Sequence, residues 1–146
     1  MTQIRSILLA EDSPADAEMA IDALREANLV NPIIHVNDGA EAMDYLYARG
    51  AYEGRTGGEP AVLLLDIKMP RMDGLEVLQQ LRTDERLRRI PVVMLTSSRE
   101  ESDLARSWDL GVNAYVVKPV DVDQFFLAVK TLGKFWAVFN EVPPEA

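Results

Sequence analysis

Four positions concentrate the residues with the most chemical capacity: Glu11-Asp12, Asp66, the hydroxyl run Thr96-Ser97-Ser98, and Lys118, each directly after a short apolar run. Carboxylates drawn together repel one another, and each has its pKa raised unless a cation sits among them. A divalent metal is the natural answer. A set of two or three carboxylates offers only oxygen ligands, which suits Mg²⁺, an ion that keeps several waters and shares its shell with phosphate. Lys118 would add a point charge and Thr96 a hydroxyl donor, together able to stabilise negative charge on a phosphoryl group in transit. A carboxylate can itself be the nucleophile and become an aspartyl phosphate, and Asp66 is the residue placed for that role.

Other chemistries lack their residues. The 146-residue chain has no cysteine, which excludes disulfides, thiol nucleophiles and thiolate zinc sites, and its one histidine argues against imidazole-based catalysis or a multi-histidine metal site. That histidine, His35, lies inside an apolar run and reads as a strand residue with a satisfied ring nitrogen. The 15 Lys+Arg are scattered among 24 Asp+Glu, for a net charge of −9, which argues against nucleic acid as a partner. The N-terminal apolar stretch stops at Glu11, too early for a signal peptide, and no run approaches ~18 apolar residues. A soluble, cytoplasmic protein without a membrane partner is expected.

The elements that must position these residues are legible as an alternation. Apolar runs at Ser6–Ala10, Pro32–Val36, Ala61–Asp66, Pro91–Leu95 and Ala114–Val117 are continuous, as in strands buried on both faces. Between and after them, helical periodicity covers Pro14–Ala27, Gly39–Arg49, Gly74–Thr83, Arg99–Leu110 and Val122–Phe139. Asp12 or Ser13 can cap the first helix ahead of Pro14, Asp38 can cap the second, and Gly111 is placed to end the fourth. The pattern predicts an α/β fold of (βα)₅ type, a doubly wound five-stranded parallel sheet with helices on both faces. Ligands of such sheets bind beyond the C-terminal strand ends, where all four positions fall. Residues 50–60 hold four of the eight glycines and read as a flexible surface insertion before the third strand. The length suits one domain.

With these residues in view, the chain resembles the receiver domains of two-component response regulators, and in particular the single-domain, chemotaxis-type receivers. The likeness is carried by Leu8-Leu9-Ala10-Glu11-Asp12-Ser13, by Asp66-Ile67-Lys68-Met69-Pro70-Arg71-Met72-Asp73-Gly74, by Val92 to Ser97, and by Ala114-Tyr115-Val116-Val117-Lys118-Pro119. Thr96 stands 30 residues and Lys118 52 residues beyond Asp66, as in that family. The resemblance implies one receiver domain over 1–146, its sheet in the flavodoxin-like order 2-1-3-4-5, with a core from about 4 to 139, a tail over 140–146 and no output domain. It implies Mg²⁺ held by Glu11, Asp12, Asp66 and the backbone carbonyl of Lys68. It further implies that Asp66 accepts a phosphoryl group from a sensor histidine kinase, with Thr96 contacting that group and Lys118 bridging it. Thr96 and Tyr115 would then act as the switch, altering the face made by the fourth helix, fifth strand and fifth helix toward a downstream target or phosphotransfer protein. A cis Lys118-Pro119 bond is common at this position in the family.

The sequence departs from the commonest family pattern in a few places. Glu11 stands for the first Asp, Ser97 for a frequent Ala, and the second connection is long. Lys68 occupies the place two residues past the acceptor, where a side chain helps to set how fast water attacks the acyl phosphate. A narrower resemblance, in Ser107 to Tyr115, Lys130 to Trp136 and Asn140 to Pro144, is to the receivers that partner phytochrome kinases, so a bacteriophytochrome-type kinase is the expected donor. On this reading the chain is no enzyme beyond taking up and losing its own phosphate. A haloacid-dehalogenase-like phosphotransferase would need a second Asp where Lys68 stands. A scaffold indifferent to phosphate would not need the acceptor and Lys118.

The last helix is unusually aromatic. Positions 125, 129, 132, 136 and 139 repeat at helical spacing and form the expected sheet-facing stripe, from which Phe126 and Phe135 fall aside. The surplus apolar surface predicts a homodimer interface involving Phe126, Phe135, Trp136 and Phe139.

Overall fold

The computed structural model describes residues 4–118 and 121–141, so the Lys118-Pro119 bond and the tail beyond Glu141 lie outside the described residues. Strands β1 (Ile7–Ala10), β2 (Ile33–Val36), β3 (Val62–Leu65), β4 (Val92–Thr96) and β5 (Ala114–Val117) alternate with helices α1 (Pro14–Glu26), α2 (Gly39–Leu46), α3 (Gly74–Thr83), α4 (Glu101–Asp109) and α5 (Val122–Lys134). All strand pairings are parallel, in the order β2-β1-β3-β4-β5. The expected doubly wound sheet is therefore the observed one.

The strands' continuous apolarity has the predicted cause. Side chains of β1, β3 and β4 are buried on both faces, whereas β2 and β5, the sheet edges, are only partly covered. Alternation along each strand separates two cores. Leu8, Ala10, Leu63, Leu65, Val92 and Met94 pack with α2 and α3, while Ile7, Leu9, Val62, Leu64, Val93 and Leu95 pack with α1 and α5. Helix α5 approaches α1 closely at Gly133, where a Cβ would lie 2.4 Å from Leu24 Cδ2.

Helix ends differ from the periodicity where backbone closure intervenes. Helix α2 ends at Leu46, not Arg49, because Ala48 and Gly50 take positive φ (53° and 59°) and Arg49 N bonds back to Asp44 O at 2.9 Å. The following insertion holds a 3₁₀ turn, Gly50–Tyr52, and is fastened by Arg55, which donates to the carbonyls of Tyr45, Leu46 and Gly58. Ser13, rather than Asp12, caps α1 by accepting from Asp16 N at 3.3 Å.

Helix α5 gives way at Phe135–Phe139 to a π-helical turn, whose wider closure rotates the aromatic stripe. Phe139, expected on the sheet-facing stripe, is 69% exposed, and Phe126, expected beside it, packs against the α1 and α5 core. Trp136 also leans on that core and stacks edge to face with the exposed Phe135, ring centres 5.1 Å apart.

Candidate functional site

The sheet's hydrogen-bond ladder runs one residue past the strands and thereby fixes the site. Glu11 N donates to Val36 O (3.0 Å), Asp66 N to Ala10 O (3.1 Å) and Lys118 N to Thr96 O (2.8 Å), so the backbones of all three residues are held at one edge. Gly74 lets α3 begin against this edge: its N–H bonds to Ile67 O at 2.8 Å, and a Cβ there would meet Asp66 O at 2.2 Å. Asp73 caps α3 through Glu76 N.

Three carboxylates converge on one ammonium. Lys118 Nζ, its side chain only 8% exposed, donates to Glu11 Oε1, to Asp16 Oδ2 at 2.9 Å and to Asp66 Oδ2 at 2.9 Å. Asp12 completes the group: oxygens of Glu11, Asp12 and Asp66 all lie within 4.8 Å of one another. Burial pushes the Glu11 carboxyl up to about 7, with the Asp66 charge adding to the rise and Lys118 opposing it. Burial acts to lower Lys118, but hydrogen bonds to Glu11 and Asp16 and the charge of Asp66 outweigh it and raise its pKa.

These residues fit a divalent cation. One ammonium cannot neutralise Glu11, Asp12, Asp16 and Asp66 together, and Asp66 Oδ1 is buried with no hydrogen-bond partner among the described residues. A bound cation would supply that buried acceptor with a partner and balance the acids around it. The donors are oxygens only, which suits a hard ion.

Thr96 is fully buried at the end of β4, and its Oγ1 accepts from Ser98 N at 3.3 Å. Tyr115, half-buried on β5, donates its hydroxyl to Ser98 O at 3.0 Å. The Lys68 side chain is exposed and reaches Asp103 of α4. His35 Nε2 lies 2.8 Å from Glu11 O, which satisfies the ring where the sequence expected it to be satisfied. Sequence reasoning missed Asp16 and Asp103. Asp16 lies in the first turn of α1 and Asp103 in the first turn of α4, and no spacing in the sequence points either of them at the site.

A parallel five-stranded sheet with an acidic triad, a hydroxyl and a lysine at its C-terminal edge defines a receiver. The response regulator receiver domain family matches residues 7–130, and the chain belongs to it. Among its relatives, response regulator Rcp1 of Synechocystis sp. is 38% identical over 130 residues, covering 89% of this chain and 87% of Rcp1. The crystal structure of Rcp1 in its Mn²⁺-bound form aligns with a TM-score of 0.89 and 36% identity over 96% of this chain and 99% of that one. The structure of the bacteriophytochrome response regulator AtBRR is 56% identical, with a TM-score of 0.76, over 96% of this chain and 100% of that one.

Proposed function

We propose that this chain is a phosphorylation-switched response regulator whose Asp66 accepts a phosphoryl group from a sensor histidine kinase of the phytochrome type. The observation that carries the reading is the Asp66 carboxylate itself, one oxygen held by Lys118 and the other buried without a partner among acids. Support comes also from the phytochrome-associated relatives, which include a phosphorylated cyanobacterial phytochrome response regulator, RcpA, at 38% identity and a TM-score of 0.89.

Glu11, Asp12, Asp66 and the Lys68 carbonyl would hold Mg²⁺, which when bound supplies the positive charge that lets a phosphoryl group approach these acids. The Asp66 carboxylate attacks phosphorus in line, the bond to the kinase imidazole breaks, and its electron pair returns to that ring. Lys118, held by Glu11 and Asp16, turns the N–H it gives to Asp66 Oδ2 toward the arriving phosphoryl oxygens. Thr96 can release the Ser98 amide and donate its hydroxyl to the phosphoryl group. That exchange loosens the loop whose Ser98 carbonyl anchors Tyr115, and biases α4, β5 and α5 toward a second arrangement recognised by a target or phosphotransfer protein. The chain's chemistry is confined to gaining and losing phosphate on Asp66, in the cytoplasm, and the exposed Phe135 and Phe139 serve a homodimer.

The test is phosphotransfer from an autophosphorylated phytochrome-type kinase. Label should move to this chain with Mg²⁺ and stay on the kinase in chelator. Label that remains on the kinase with Mg²⁺ present contradicts the proposed donor.

A further inference from the structure

Ser98 is the junction of the loop that leaves Thr96. Its amide binds the Thr96 hydroxyl and its carbonyl takes the Tyr115 hydroxyl. Its own hydroxyl donates to Asp103 Oδ2 at 2.6 Å. The same oxygen stands 3.6 Å from Lys68 Nζ, two residues past Asp66. Asp103 lies in the first turn of α4 with its side chain 11% exposed, against 63% for Lys68, and its backbone carbonyl is tied by the Ser107 hydroxyl at 2.8 Å. One nearly buried carboxylate thus spans the loops after β3 and β4, the two that carry Asp66 and Thr96.

From this geometry we infer that Asp103 is a positioning residue that keeps the Lys68 ammonium away from the acceptor and so shortens the lifetime of phosphate on Asp66. The inference rests on the reading of Asp66 as phospho-acceptor and concerns how that state ends. In hydrolysis, water attacks phosphorus and the bond from phosphorus to Asp66 oxygen breaks with its electron pair left on the carboxylate. The products are the Asp66 carboxylate, hydrogen phosphate and a proton released to water.

Hydrolysis needs a water in line with phosphorus, opposite the departing Asp66 oxygen. A long side chain laid over the phosphoryl group occupies space that this water must cross. Lys68, close in sequence and largely exposed, is a cation free to settle there. Asp103 holds it instead, and the Ser98 hydroxyl fixes the orientation of that carboxylate.

The experiment phosphorylates the wild-type chain, Asp103→Asn, Asp103→Ala, Lys68→Ala and the Lys68→Ala/Asp103→Asn double variant with phosphoramidate and MgCl₂, removes the donor and times the loss of label. Urea melts run alongside report folding. Asn is isosteric and still accepts from Ser98, and Ala supplies a second way to remove the charge. The lifetime should lengthen about threefold in both Asp103 variants, the size a partly exposed ion pair supports. The double variant should decay at the rate of Lys68→Ala. An unchanged or shortened lifetime in a folded Asp103 variant, or the same lengthening without Lys68, overturns the inference. A wild-type chain that takes no label overturns the acceptor reading and the inference with it, whereas labelled wild type with unaltered Asp103→Asn decay overturns the inference alone.

Discussion

Lys118 is the residue on which the resting site depends, because it is the cation nearest to three carboxylates. Breaking such a buried pair from one side leaves uncompensated charge, so Lys118→Met should cost about 3 kcal/mol in chelator. Millimolar Mg²⁺ should return part of that loss by binding the folded state. Urea unfolding with and without the metal checks both, and an unchanged midpoint in chelator would count against the charge balance described above. Much of this residue-scale picture was legible, since Glu11, Asp66, Thr96 and Lys118 sit at strand ends, where parallel-sheet topology alone brings them together. Asp16 and Asp103 were not. They reach the site from first turns of helices, and whether such side chains bend toward a neighbour is decided by packing that spacing does not reveal.

Two glycines set how closely the elements can meet. A Cβ at Gly39 would lie 2.0 Å from Met72 O, and one at Gly74 2.2 Å from Asp66 O, both immovable backbone atoms. Gly39→Ala and Gly74→Ala should each cost about 3 kcal/mol or more, the upper end for overpacking. At Gly54, with φ +82° and open space around it, Ala should cost about 1 kcal/mol from backbone strain alone. Chemical denaturation of the three variants compares them, and equal losses would refute the close approach.

The ends of α2 carry a pH dependence. At Asp38, burial acts to raise the carboxyl, but the paired Arg71 guanidinium and the Glu41 amide outweigh it and hold it below its usual 3.8. At Asp84 the Tyr47 hydroxyl does the same. A group lowered in the fold gives stability that is present above its unfolded value and lost as pH falls through the folded one. Stability should therefore drop below about pH 4, and Asp38→Asn should make that fall shallower in urea midpoints. These ends were also the least legible part of the sequence. The positive φ at Ala48 and the π-helical turn at Phe135–Phe139 break 3.6 periodicity without any residue that announces it. That turn is why Phe139 left the stripe on which its spacing placed it.

At the scale of the molecule, the parallel sheet was legible because continuous apolar runs alternating with helices admit few right-handed arrangements, and its order followed from the resemblance to receivers. The exposed apolar surface of the last helix and its π turn, with Leu127, Phe135, Val138 and Phe139 each about half exposed or more, belongs to this scale too. Size-exclusion chromatography with light scattering, with and without beryllofluoride, should give the mass of a dimer; a monomer mass throughout would remove that part of the proposal. The net charge of −9 has its functional part in the cluster around Lys118, where acids outnumber the cation and Asp66 keeps an unpartnered oxygen. The most direct measurement is labelling by radioactive acetyl phosphate with Mg²⁺, comparing wild type with Asp66→Asn. Label that alkali and hydroxylamine remove from the wild type, and none on the variant, is the predicted result, and equal stable labelling of Asp66→Asn would contradict the account.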